Sequence, residues 1–152
     1  MGCVVRVLPP HQAIMLERSS WFIMGSVVSA IRYTHYDFAV LSLISFITSF
    51  LYWRNPVQKS WRQRLDRITV RSSFLFLSLR IQHQWHTMIL YDKQVYMMLT
   101  LMGISCYLLS GMLSRFPTLS HYSVYAHLIF HFFANISNMF IFSKLPPLDD
   151  SL

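Results

Sequence analysis

Residues 94–113, QVYMMLTLMGISCYLLSGML, carry no charged side chain. As a helix such a run rises about 30 Å, the thickness of the hydrocarbon core of a bilayer. A water-facing surface cannot be built around it from this chain, in which only 12% of residues are charged while 54% are hydrophobic and 16% aromatic. Lipid is the expected solvent, and a helix is the expected form, because every backbone polar group must then be satisfied within the segment.

Three more spans are expected at 121–142, 36–53 and 66–86. The second ends in Tyr52-Trp53 followed by Arg54, an aromatic and cationic anchor of the kind found at membrane interfaces. The third is apolar only over 72–79 and is interrupted by Arg67, Arg71 and Arg80, which must snorkel or pack against partners. Residues 21–31, between Arg18 and Arg32, are too few to cross alone. They read as an interfacial helix or, with their flanks, as a marginal fifth span. The expected architecture is all-α, a polytopic transmembrane bundle of four to five helices. It comprises an N-terminal segment over 1–35, a bundle over 36–143 and a polar tail over 144–152 containing Pro146-Pro147, Asp149 and Asp150.

A formal net charge of +7 raises the question of nucleic acid, and the distribution of charge answers it. Arg54, Lys59, Arg62, Arg64, Arg67 and Arg71 crowd one segment between two apolar runs, with Asp66 among them. Basic residues beside spans mark the cytoplasmic or matrix side and attract anionic lipid headgroups, so the expected partner is membrane lipid and not nucleic acid. Arg54-Asn55-Pro56 and Phe116-Pro117 end the helices before them, because proline lacks a donor and disfavours helical geometry in its predecessor. Cys3 and Cys106 imply no disulfide framework. Met1-Gly2-Cys3 hints at acylation, but Arg6 stands where the myristoylation pattern wants Ser or Thr. The first residues carry neither the apolar core and cleavage site of a secretory signal nor the arginines of a transit peptide.

Within the last span, YAHLIFHFFAN places His127 and His131 four residues apart. On a helix they point the same way, separated by about 6 Å along the axis, and Ser123, Asn135 and Asn138 extend the stripe. Ionisable groups facing lipid are costly, so the stripe should face protein or a water-filled cavity. Two readings are open: hydrogen bonds to a neighbouring helix, or two nitrogen ligands of one metal ion that needs at least a third. Asp66 has two readings as well. It caps the start of its helix and pairs with Arg62 or Arg67, or it points into the bundle and orients a water or metal-bound hydroxide near the histidines. Ser42, Ser45, Ser49 and Tyr52 form a polar stripe on the span at 36–53, of a type that more often marks close helix packing than chemistry. His83 and His86, beside Trp85, belong to the far end of their helix and read as an interfacial pair.

Three short segments, Ser49-Phe50-Leu51-Tyr52-Trp53-Arg54-Asn55-Pro56, Leu65-Asp66-Arg67-Ile68 and Ala126-His127-Leu128-Ile129-Phe130-His131, resemble the signature regions of the CREST superfamily. That superfamily includes alkaline ceramidases and progestin and adipoQ receptors. The resemblance implies an intramembrane zinc held by three histidines, and hydrolysis of a lipid amide or similar bond. It makes His127 and His131 metal ligands, Asp66 the group that orients the attacking water, and Ser49 a stabiliser of developing charge. Trp53 stands where the first zinc-binding histidine belongs, and an indole nitrogen only donates. His35, Asp37 or a second subunit would have to complete the ligand set. The chain also holds fewer spans than the seven of the family. The competing expectation is a non-catalytic structural or accessory subunit of a membrane complex, supported by the small size, the methionine-rich spans and the arginines of 66–86.

Overall fold

The structure, a computed structural model, describes residues 8–146; the expectations on Cys3, the N-terminal acylation hint, Pro147, Asp149 and Asp150 fall outside them. Six α-helices follow in order: α1 Pro10–Ser19, α2 Phe22–Arg32, α3 Tyr36–Arg54, α4 Trp61–Gln84, α5 Leu90–Leu113 and α6 Ser120–Phe142. Single 3-10 turns at Trp85–Thr87 and Pro117–Leu119 precede α5 and α6, and the described residues contain no strand. The expected all-α bundle is the observed one.

Pro10 starts α1 at a position where its missing N–H costs nothing. At its end the Ser19 and Ser20 hydroxyls both donate to the Leu16 carbonyl, at 2.8 and 3.1 Å. The amides of Ile23 and Met24 then reach back three residues, to Ser20 and Trp21. This tightened turn joins α1 to α2. The run at 21–31 is therefore the second half of a longer stretch. Pro10–Arg32, Tyr36–Arg54, Leu90–Leu113 and Ser120–Phe142 are the four helices long and apolar enough to cross a membrane. The span expected at 66–86 is not among them. Its helix begins earlier, at Trp61, capped by the Ser60 hydroxyl on the Gln63 amide at 3.2 Å, and so takes in Arg62 and Arg64 as well.

α3 and α4 run antiparallel, in a register set by four polar contacts. Gln63 Nε2 donates to Tyr52 Oη at 3.0 Å, Ser49 Oγ to Asp66 Oδ1 at 2.5 Å, Ser45 and Ser73 meet at 3.1 Å, and Arg80 Nη1 donates to Asp37 Oδ2 at 2.7 Å. The other half of the bundle is the α5–α6 hairpin, where Gly103 approaches the backbone of Ala134 and Thr100 meets Ser137 at 2.8 Å. α2 packs on both α3 and α6. Ser26 on α2 donates to Asn135 Oδ1 at 2.7 Å, and Gly25 leaves room for Met139. Apolar packing concentrates at two ends. One cluster gathers Phe38, Ile81, Tyr96 and Phe142; the other gathers Leu16, Tyr52, Trp53 and Val124.

The α2–α3 connection is a Schellman turn, with the His35 amide on the Ala30 carbonyl at 2.8 Å and the Thr34 amide on Ile31 at 3.1 Å. The residue at its left-handed position is Thr34, with φ of 60°, where glycine is the usual occupant. Thr34→Gly removes that strain. It is expected to stabilise the fold by about 1 kcal/mol, seen as a higher thermal midpoint in detergent.

Candidate functional site

Asp66 does not cap its helix. Ser60 does that, and Asp66 lies a turn and a half further on, facing α3, where it accepts the Ser49 hydroxyl proton. Among the described residues it forms no ion pair with Arg62 or Arg67; the two ion pairs there are Arg80–Asp37 at 2.7 Å and Lys144–Asp92 at 3.2 Å. Ser49 is buried and Asp66 half-buried. One turn further along α3, Tyr52 accepts from Gln63, so the couple sits in a short polar run on the α3–α4 seam.

On α6 the polar stripe faces protein. Ser123, His131 and Asn135 are buried, and His127 and Asn138 are half-buried. Ser110 on α5 donates to the Ser123 carbonyl at 2.9 Å. Asn135 accepts from Ser26 and donates to the His131 carbonyl at 2.7 Å. The imidazoles of His127 and His131 lie 4.9 Å apart between ring centroids. Nε2 of His131 is buried with no hydrogen-bond partner, which is unusual for an imidazole so enclosed.

Trp53 connects the two halves of the site. Its ring, 8% exposed, stands edge-on to His127 at 5.3 Å between centroids and 67° between planes. Ser49 and Trp53 are one helical turn apart on α3, which puts the serine–aspartate couple one turn from the indole that meets His127. Among the described residues, no hydrogen bond or ion pair joins Ser49 or Asp66 directly to His127 or His131. A cleft of about 180 Å³ opens beside Trp53, lined on its other wall by Pro10, Ala13 and Glu17 of α1.

The alternative ligands expected from the sequence lie elsewhere. His35 is at the opposite end of α3, its Nε2 donating to the Phe142 carbonyl at 3.1 Å. Asp37 is held there by Arg80. His83 and His86 are exposed near the end of α4. A histidine zinc site with hydrolytic function needs three protein ligands and a water. Among the described residues, no third His, Cys, Asp or Glu joins His127 and His131 in such a group. The indole beside them has no lone pair to offer. The donor set among the described residues does not fit the ion. Sequence reasoning also missed the polar ends of the α3–α4 seam, Tyr52–Gln63 and Asp37–Arg80; nothing in the spacing of residues on two separate helices signals which of them will meet.

His35 is 1% exposed, and burial pushes its pKa below the ordinary 6.5 even though the Phe142 carbonyl favours the protonated ring. Since Nε2 donates, the neutral ring presents Nδ1 as an acceptor, and that atom is buried without a partner. The unfolded chain takes up this proton more readily than the folded one. His35 therefore supports the fold fully above pH 6.5, and that support is lost as the pH falls below it. The thermal midpoint is expected to fall between about pH 7 and about pH 5, with a shallower fall in His35→Gln.

Set beside known proteins, the chain matches no family model, no curated protein and no solved structure.

Proposed function

We propose that this chain is a multi-pass membrane protein of CREST-like design that binds a membrane lipid at the Ser49–Asp66 couple and does not carry out the metal-dependent hydrolysis of that superfamily. The observation that carries this reading is Trp53. Where the CREST resemblance expects a histidine, its ring packs edge-on with His127, and His127 and His131 meet edge-on as well, 4.9 Å apart between centroids. The serine–aspartate couple, by contrast, is intact and strongly hydrogen-bonded.

The chemistry of the couple selects the ligand class. Asp66 accepts the Ser49 proton, so what the pair has left to offer is acceptor capacity: the second carboxylate oxygen and the serine lone pairs. These suit a lipid bearing hydroxyl or amide N–H donors near its headgroup, and charge assistance strengthens such bonds. The arginines and lysine of 54–67 lie at the same end of the α3–α4 pair and favour a phosphate on the same or a neighbouring lipid. Trp53 and Tyr52 contribute amphipathic rings at the matching depth.

Two measurements on detergent-purified protein test this. Elemental analysis is expected to find far less than one zinc per chain in the wild type, and more in Trp53→His, with the gain abolished by adding His131→Ala. About one zinc per wild-type chain, lost in both His127→Ala and His131→Ala, would overturn the proposal and restore the zinc hydrolase. In native mass spectrometry, retention of an amide-bearing sphingolipid is expected to weaken about tenfold in Asp66→Asn, the scale of one charge-assisted hydrogen bond.

A further inference from the structure

The face of α4 turned away from α3 is independent of whatever the Ser49–Asp66 couple binds. The polar contacts from Tyr52–Gln63 to Asp37–Arg80 hold α4 alongside α3 over nearly the whole length of both helices. Where α3 crosses a membrane, α4 crosses beside it. Ser73 meets Ser45, the middle residue of α3, about 14 Å by helical rise from either end. Arg71, two residues before Ser73, is at that mid-depth, and it is exposed.

A guanidinium stays charged in any protein environment, and facing lipid at the centre of a bilayer is its costliest position. Arg62, Arg64 and Arg67 lie nearer the basic end and can extend toward headgroups. Arg80 is neutralised by Asp37 and covered by the Phe38 ring at 5.3 Å. Arg71 has neither solution: among the described residues it forms no ion pair. Around it, Leu65, Ile68, Ser72, Leu75 and Leu79 recur at spacings of four and three, all exposed. That repeat is the seam on which one helix packs against another, and Ser72 at its centre allows close approach.

We infer that this face of α4 docks a transmembrane helix of a different protein, one that carries an Asp or Glu at mid-depth opposite Arg71. Lipid alone satisfies the leucines but not the arginine. Among the described residues, a second copy of this chain brings no suitable acid. Asp37 and Asp92 are paired with Arg80 and Lys144, and Asp66 faces α3. Glu17 is on α1 beside the Trp53 cleft. The missing charge belongs to another chain.

A photo-crosslinking amino acid placed at Ser72 of the full chain, expressed in its native membranes, tests this, with adducts identified by mass spectrometry. The expected result is an adduct to a membrane protein whose crosslinked segment is an apolar helix containing Asp or Glu. Its yield falls at least tenfold in Arg71→Leu and recovers when Arg71→Glu is combined with lysine at the partner's acidic position. Arg71→Leu makes α4 more apolar, so loss of the adduct in a variant with unchanged helical content does not reflect failed insertion. Adducts to lipid alone, to a second copy of this chain, or to a segment without an acid overturn the inference, as does a yield indifferent to Arg71→Leu.

Discussion

The contact between α3 and α4 governs this structure more than any apolar cluster does. α4 is too rich in arginine to be held in lipid by its own hydrophobicity, and α3 holds it through Asp37, Ser45, Ser49 and Tyr52. Hydrogen bonds at both ends and in the middle of the pair, from Gln63–Tyr52 to Arg80–Asp37, fix both direction and register. Away from water each such bond competes with few alternative partners, so a handful is enough to specify one alignment of two helices. The depth of Asp66, the depth of Arg71 and the neutralisation of Arg80 all follow from that alignment.

The seam also divides polar groups by depth. At the basic end, Ser49–Asp66 and Tyr52–Gln63 form two neighbouring hydrogen-bonded pairs. At the opposite end, Asp37, Arg80, His35 and Gln84 bring together a cation, an anion and an imidazole, each with hydrogen-bonding capacity left over. Between them, Ser45 and Ser73 are the sole polar contact of the seam.

Much of this was legible in the residues, and the reasons for the remainder are physical. α3, α5 and α6 announce themselves because each is nearly uncharged over a bilayer's thickness. The adjacency of His127 and His131 follows from helical geometry alone, and their rings lie 4.9 Å apart between centroids. The N-terminal helix was harder, since Glu17 and Arg18 interrupt its hydropathy while Pro10 and the serine hydroxyls on Leu16 carry the chain helically past them. Asp66 at the start of an apolar run has the signature of a cap. Only its pairing with Ser49 on another helix separates that from a residue aimed inward, and interhelical register is a tertiary property.

The bonds from the first helices to the last set a constraint on biogenesis. Ser26 finds its partner 109 residues downstream at Asn135, and His35 finds its own 107 residues downstream at Phe142. While the ribosome is still synthesising α4 and α5, the inner face of α2 has no partner of its own for these groups. Until α6 is present, Ser26 and His35 lack the acceptors they hold in the folded chain. Closure of the bundle around α2 therefore waits on α6, which packs against both α2 and α5.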